Sequence, residues 1–156
     1  MSAANYSPLT MHAPYQIYLR QTLPESEHYT ITSLLSLLPT DCIHGIQRHC
    51  DDMQNPSAIH IKDMVDGRGL ACPMPLLKTK VALRNVAIGE SLYVVATDPN
   101  SQADILAFCQ QTQKIATTDN LLLMVNQTTN GSSIGSLSTQ TFDTIFHFII
   151  TKTDSN

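Results

Sequence analysis

The chain contains no tryptophan, and only 14% of its 156 residues are charged. Nine basic residues against thirteen acidic ones leave a net charge of −4, which supplies no general pull towards nucleic acid, so no direct nucleic-acid partner is expected. The four cysteines, Cys42, Cys50, Cys72 and Cys109, lack the dense spacing of a secreted disulfide scaffold, and a chain of this size does not need such staples. A reducing cytoplasm is the expected compartment. No apolar run approaches the roughly 20 residues of a membrane span. The best candidate for a signal-peptide core, residues 31–38, follows Glu25 and Glu27 in place of a basic stretch, so export and a membrane partner are rejected. No second thiol lies within three residues of Cys72, which excludes a thioredoxin-type C-x-x-C couple.

What is present is an apolar content of 42% in 156 residues, a length sufficient for one domain with a core plus an extension but short for two full domains. The division expected is an N-terminal extension over residues 1–58 and a domain over 59–156. Residues 1–24 carry Pro8, Pro14 and Pro24 among scattered tyrosines and read as irregular, with a short strand at 16–19. Ile31, Leu34, Leu35 and Leu38 then fall at helical spacing, with Ser26 or Thr30 as N-cap and Pro39 as the stop, which predicts an amphipathic helix near 27–38.

Cys42, His44, His49 and Cys50 crowd into nine positions, and zinc is the tempting reading. Structural zinc sites pair their ligands as C-x₂₋₄-C and H-x₃₋₅-H, whereas the order here is C-x-H followed by H-C. An ordinary short helix or loop is therefore expected, with no metal, and 55–57 (Asn-Pro-Ser) as a linker.

The chemistry concentrates at Asp66-Gly67-Arg68-Gly69-Leu70-Ala71-Cys72-Pro73-Met74-Pro75. Residues 59–65 are β-rich, and after the motif Leu77, Val81, Leu83 and Ile88 fit one broad face of a helix running from 73 to about 86. Pro73 and Pro75 fall where first-turn N–H groups have no intrahelical partner, so they start this helix without breaking it. Cys72 is thereby placed near the N-cap, where about half a positive charge from aligned peptide dipoles favours the thiolate. Arg68, Lys78, Lys80 and Arg84 make the neighbourhood basic. Together these features predict a Cys72 that ionises below pH 7.5.

The stretch from Asp66 to Lys80, with Cys72-Pro73-x-Pro75 after Gly69-Leu70, followed by Gly89-Glu90 and by Thr97-Asp98-Pro99, closely resembles the TusA-like (SirA-like) sulfur-carrier proteins over residues 59–152. The motif positions carried across are Asp66, Gly69, Leu70, Cys72, Pro73 and Pro75. The resemblance implies partner docking at basic Lys80 and acidic Asp98, which Arg68 and Lys78 adjoin. It also implies a cysteine desulfurase as sulfur donor, a downstream sulfur-relay protein as acceptor, and a route to 2-thiouridine in tRNA. The long extension and a longer last hairpin depart from the family pattern. Met53 lies just before the first strand of this part, and a start there would give a domain of ordinary family size.

Beyond the motif, a turn at Gly89-Glu90 leads to a strand at 91–97 with one face more apolar than the other. Residues 98–101 form a loop and N-cap, and a helix over 102–111 carries the stripe Ile105, Phe108, Cys109 and Thr112, which places Cys109 in the core. Strands at 121–125 and 144–151 flank a mobile connection over 126–141, rich in Asn, Gly, Ser and Thr. His60 and His147 read as half-exposed strand residues. The fold class expected is α/β, a two-layer βαβαββ sandwich with a four-stranded mixed sheet and both helices on one face, plus the extension.

A lone activated cysteine without a general base, metal or cofactor loop suits a sulfurtransferase-type carrier better than a self-sufficient turnover enzyme. Cys72 would hold a covalent persulfide and need no cofactor. The rival readings are a protein-binding or regulatory module with the same fold, and a small zinc protein built on the Cys42 to Cys50 cluster.

Overall fold

The computed structural model describes residues 14–48, 58–115, 120–130 and 144–153. They form two compact units, Met1–His60 and Ile61–Asn156. The class is α/β, with six strands and three helices among the described residues, so the four-stranded, two-helix expectation does not describe the chain.

The surplus lies in the first unit. Strand β1 (Tyr15–Leu19), helix α1 (Glu25–Leu35) and strand β2 (Ile43–Arg48) make a βαβ unit in which β1 and β2 pair in parallel. The short strand expected at 16–19 is present as β1, residues 1–13 of the segment read as irregular lie outside the described residues, and β2 stands where a short helix or loop was expected. In β1 the signal was present as strict alternation, because Tyr15, Ile17 and Leu19 are buried while Gln16 and Tyr18 are half-buried. In β2 it was hidden: Ile-His-Gly-Ile-Gln-Arg alternates poorly, and the parallel pairing with β1 makes it a strand. Helix α1 buries Ile31, Leu34 and Leu35, the stripe its spacing predicted. Neither expected cap holds, since Pro24 precedes the first turn and Thr30 donates its hydroxyl to the Ser26 carbonyl inside the helix. His60, expected half-exposed, is buried and stacks on Tyr18 with ring centroids 5.3 Å apart.

In the second unit the order is β3 (Ala58–Gly67), α2 (Met74–Leu83), β4 (Ser91–Ala96), α3 (Pro99–Ile115), β5 (Asn120–Asn130) and β6 (Thr144–Thr153). Strands run β3-β4-β6-β5 across it, β3 and β4 parallel and the other two pairings antiparallel. Leu83 of α2 and Ile105 and Cys109 of α3 share one buried cluster with Val65, Leu92, Val94, Phe146, Phe148 and Ile150 from the strands. Both helices thus cover the same set of strand residues. Every residue of β4 is buried, including Tyr93 and Val95 of the face expected to be the more polar. Strand β5 extends to Asn130, so the first residues of the expected connection are ladder, with Thr129 opposite Ile145. The rest of that connection, the linker at 55–57, His49 and Cys50 lie outside the described residues.

Of the apolar face expected for helix α2, only Leu83 reaches the core. Pro75, Thr79 and Leu83 are buried, whereas Leu77, Val81 and Ile88 are 47%, 55% and 53% exposed. A threonine can serve as a core residue here because its hydroxyl donates to the Pro75 carbonyl at 2.8 Å, leaving no unsatisfied polar atom inside. Pro75 reaches the sheet because residue 67 is glycine. A Cβ there would lie 2.9 Å from the Val95 carbonyl oxygen and 3.1 Å from Pro75 Cβ. Gly67→Ala is accordingly expected to cost about 2 kcal/mol, since a strand carbonyl cannot yield cheaply. Urea unfolding will measure it, and a change under about 0.5 kcal/mol would mean the junction is looser than the geometry states.

Candidate functional site

The strand-to-helix junction is built by four backbone devices. Gly69 takes a left-handed φ of +79°, accessible to glycine at little cost, and donates its N–H to Thr97 Oγ1 at 2.9 Å. Leu70 N–H closes a turn onto the Gly67 carbonyl at 3.1 Å, and Met74 N–H does the same to Ala71 at 2.9 Å. Cys72 N–H is bound by Asp98 Oδ2 at 3.0 Å. The same oxygen accepts from Ser101 N–H and Ser101 Oγ, both at 3.2 Å, so Asp98 also caps α3. The Thr97-Asp98 pair, 25 residues from the cysteine in sequence, is therefore the frame that holds its loop.

Cys72 is exposed, one residue before the Pro73 N-cap of α2, and its peptide bond to Pro73 is cis. Pro75 sits in the first turn, as its missing N–H permits. The thiol donates to Asp104 Oδ2 of α3 at 2.9 Å. That contact reverses the expected electrostatics. The hydrogen bond to Asp104, then some loss of hydration, then the negative charges of Asp104 and Asp98 push the thiol above its ordinary value. Ionisation below pH 7.5 is thus not what this geometry produces, because a carboxylate in contact with Sγ outweighs a diffuse half-charge from the helix start.

The basic residues disperse. Arg68 grips Asp66 in a two-pronged pair, Nε to Oδ1 at 2.8 Å and Nη2 to Oδ2 at 2.7 Å, and holds that carboxyl below its usual range. Lys80 lies over the Phe108 ring at 5.2 Å from its centroid. Lys78 lines two neighbouring grooves. One, of about 600 Å³, has Met74, Leu77 and Val81 on one wall and Asp63 and Met64 on the other; the second, of about 560 Å³, includes Asp66, Arg68, Gly69 and Thr97. The apolar side of α2 that faces solvent thus begins two residues after Cys72.

Elsewhere, Cys109 is buried on α3 and its thiol is pushed up to about 11 by burial; Thr112, placed on the same stripe, has no described side chain. Buried Cys42 is also raised, and His44 is exposed. No metal-ligand cluster of three or more His, Cys, Asp or Glu occurs among the described residues. His147, expected half-exposed, is fully buried with both ring nitrogens engaged, Nδ1 with Tyr93 Oη at 2.7 Å and Nε2 with Thr129 Oγ1 at 2.8 Å. Asp104 is the residue sequence reasoning missed. It stands just before the buried Ile105, and nothing in its immediate neighbours signals that α3 will carry it to the cysteine.

Residues 63–119 match the family described as Sulfurtransferase TusA. The chain is 46% identical over 48 residues to the sulfur carrier protein TusA of Allochromatium vinosum, covering 31% of this chain and 63% of that one. A Halobacterium salinarum protein, named as a candidate sulfur carrier, is 41% identical over 59 residues, 38% of this chain and 73% of its own. A Bacillus subtilis protein with a name of the same kind is 45% identical over 49 residues, 31% of this chain but only 26% of its own length. The matched stretch runs through the Gly69 turn, Cys72 and the Asp98 cap and ends after α3, so the chain belongs to the TusA family.

Proposed function

We propose that this protein is a sulfur carrier. Cys72 attacks the outer sulfur of a persulfide on a cysteine desulfurase, holds it as Cys72–S–SH and passes it to the thiol of a downstream relay protein. The observation that carries the reading is an exposed thiol on a loop pinned at Cys72 N–H and at Sγ. Such a placement serves exchange between large partners, where access matters more than an enclosing pocket. The working part is the βαβαββ arrangement of the second unit; 2-thiouridine formation in tRNA is the destination, and the cytoplasm the compartment. No helix among the described residues is long and apolar enough to cross a membrane. No resident cofactor enters the chemistry.

The desulfurase docks on the exposed side of α2, with Met74, Leu77 and Val81 as apolar contacts and Arg68, Lys78 and Lys80 as the basic rim; Asp98 acts from behind by fixing the loop. Lys80→Glu is expected to weaken desulfurase binding about tenfold, chiefly by removing charge complementarity. It should leave the fold intact and cost at most about 0.5–1 kcal/mol of stability, the worth of the lost Lys80–Phe108 contact. Titration calorimetry gives the answer, and unaltered affinity would remove Lys80 from the contact. The reading as a whole is tested by intact mass after incubation with a desulfurase and cysteine. A gain of 32 Da that disappears when an acceptor thiol is added supports a carrier, and no gain would leave a protein-binding module.

A further inference from the structure

Resting on the sulfur-carrier reading, we propose that Asp104 is the acid–base group of the transfer: it holds Cys72 as the neutral thiol at rest, takes the proton as Sγ attacks, and hands it to the departing thiolate. The two carboxylates beside Cys72 have different tasks. Asp98 Oδ2 is already occupied by three donors, Cys72 N–H, Ser101 N–H and Ser101 Oγ–H, so its lone pairs are committed to structure. Asp104 directs Oδ2 at Sγ alone. Ile105, fully buried in the shared core, anchors the helix turn that carries it, and the side chain itself is half-buried. Its distance of 2.9 Å is within direct proton-transfer reach.

The step balances without an oxidant or reductant. The proton on Cys72 Sγ moves to Asp104 Oδ2 as the Sγ electron pair forms a bond to the outer sulfur of R–S–SH. The old S–S bond breaks, its electron pair leaves on R–S⁻, and Asp104 returns the proton to give R–SH. The products are Cys72–S–SH and R–SH, and delivery to an acceptor thiol runs the same exchange onward. Between transfers the arrangement protects the carrier, since the neutral thiol is a poor target for alkylation and oxidation while the thiolate is the reactive form. The charged groups acting on the thiol are Asp104 from α3 and Asp98 from the loop that opens it, and both oppose ionisation.

Asp104→Asn separates proton transfer from simple electrostatics. Two rates are read on the full chain: Cys72 alkylation by iodoacetamide as a function of pH, and the 32 Da gain from glutathione persulfide. With the carboxylate gone, the alkylation inflection should move to lower pH and alkylation at pH 7 should become faster. Sulfur uptake should nevertheless slow by about a hundredfold, the lower end of the usual contribution of a positioned base. Asp104→Glu, which keeps a carboxyl group, should recover part of both behaviours, and unlabelled Cys42 and Cys109 report that the variants remain folded. An unmoved alkylation profile, or uptake that accelerates in step with alkylation, overturns the proposal. Wild-type protein that takes no sulfur at any pH sinks the carrier reading instead, and the alkylation profile, which needs no donor, still decides whether Asp104 holds the proton.

Discussion

Cys72→Ser is expected to abolish sulfur uptake altogether, with no 32 Da adduct on incubation with a desulfurase and cysteine, while leaving the fold as it is. Serine keeps the O–H that can donate to Asp104 Oδ2 and keeps the backbone N–H bound to Asp98, so the loop geometry survives. What disappears is the sulfur nucleophile, and a hydroxyl without strong activation cannot substitute for it. The other described thiols offer no alternative acceptor. Cys42 and Cys109 are buried, and burial raises both, Cys109 to about 11. An adduct that persists in Cys72→Ser would therefore place the carried sulfur elsewhere and end the assignment of Cys72.

Acidification from pH 7.5 to 4 should remove about 3 kcal/mol of stability through His147 alone. In the folded chain burial lowers its imidazole from 6.5 to about 4. Its one N–H and one lone pair are matched by the hydroxyls of Tyr93 and Thr129, an arrangement made for the neutral ring. In the unfolded chain the ring takes a proton near 6.5. The unfolded state thus binds the proton first, so the stability is complete above 6.5, declines as the pH falls through the window to 4 and is gone below it. At 1.36 kcal/mol per pH unit, the drop from 6.5 to about 4 gives that figure. Urea midpoints across this range provide the measurement, with His147→Gln as the control. An equally steep decline in the glutamine variant would assign the acid sensitivity to other groups. Asp66, held low by Arg68, adds a loss in the same direction only at still lower pH.

The site was half legible. A change of period from strand to helix, with glycines in the turn and prolines at the helix start, is a local pattern, and it located the junction and its cysteine. Thr97 and Asp98 could be singled out because their spacing matched a family, though their structural work, one taking the Gly69 N–H and the other the Cys72 N–H, is visible only in three dimensions. Asp104 could not be found, because no local pattern encodes which residue of one helix meets the start of another. The error over α2 has a related cause. Its apolar spacing marked Leu77, Val81, Leu83 and Ile88 as one face, yet Gly67 allows Pro75 onto the sheet, and the helix buries Pro75 and Thr79 with Leu83 while Leu77, Val81 and Ile88 stay exposed.

Element type and order in the second unit follow from short-range patterns of burial and punctuation, which the chain carries residue by residue. So does the placement of a thiol at the strand-to-helix junction. Tertiary structure decided what surrounds that thiol, which face of α2 meets solvent, that Ile43–Arg48 is a strand, and that His147 is buried with both ring nitrogens occupied. The surroundings of the thiol and of His147 depend on partners 18 to 54 positions away, Asp104 for Cys72 and Tyr93 and Thr129 for His147. Contact across such separations is set by how the elements pack, so the protonation state of the cysteine is a property of the fold and not of its motif.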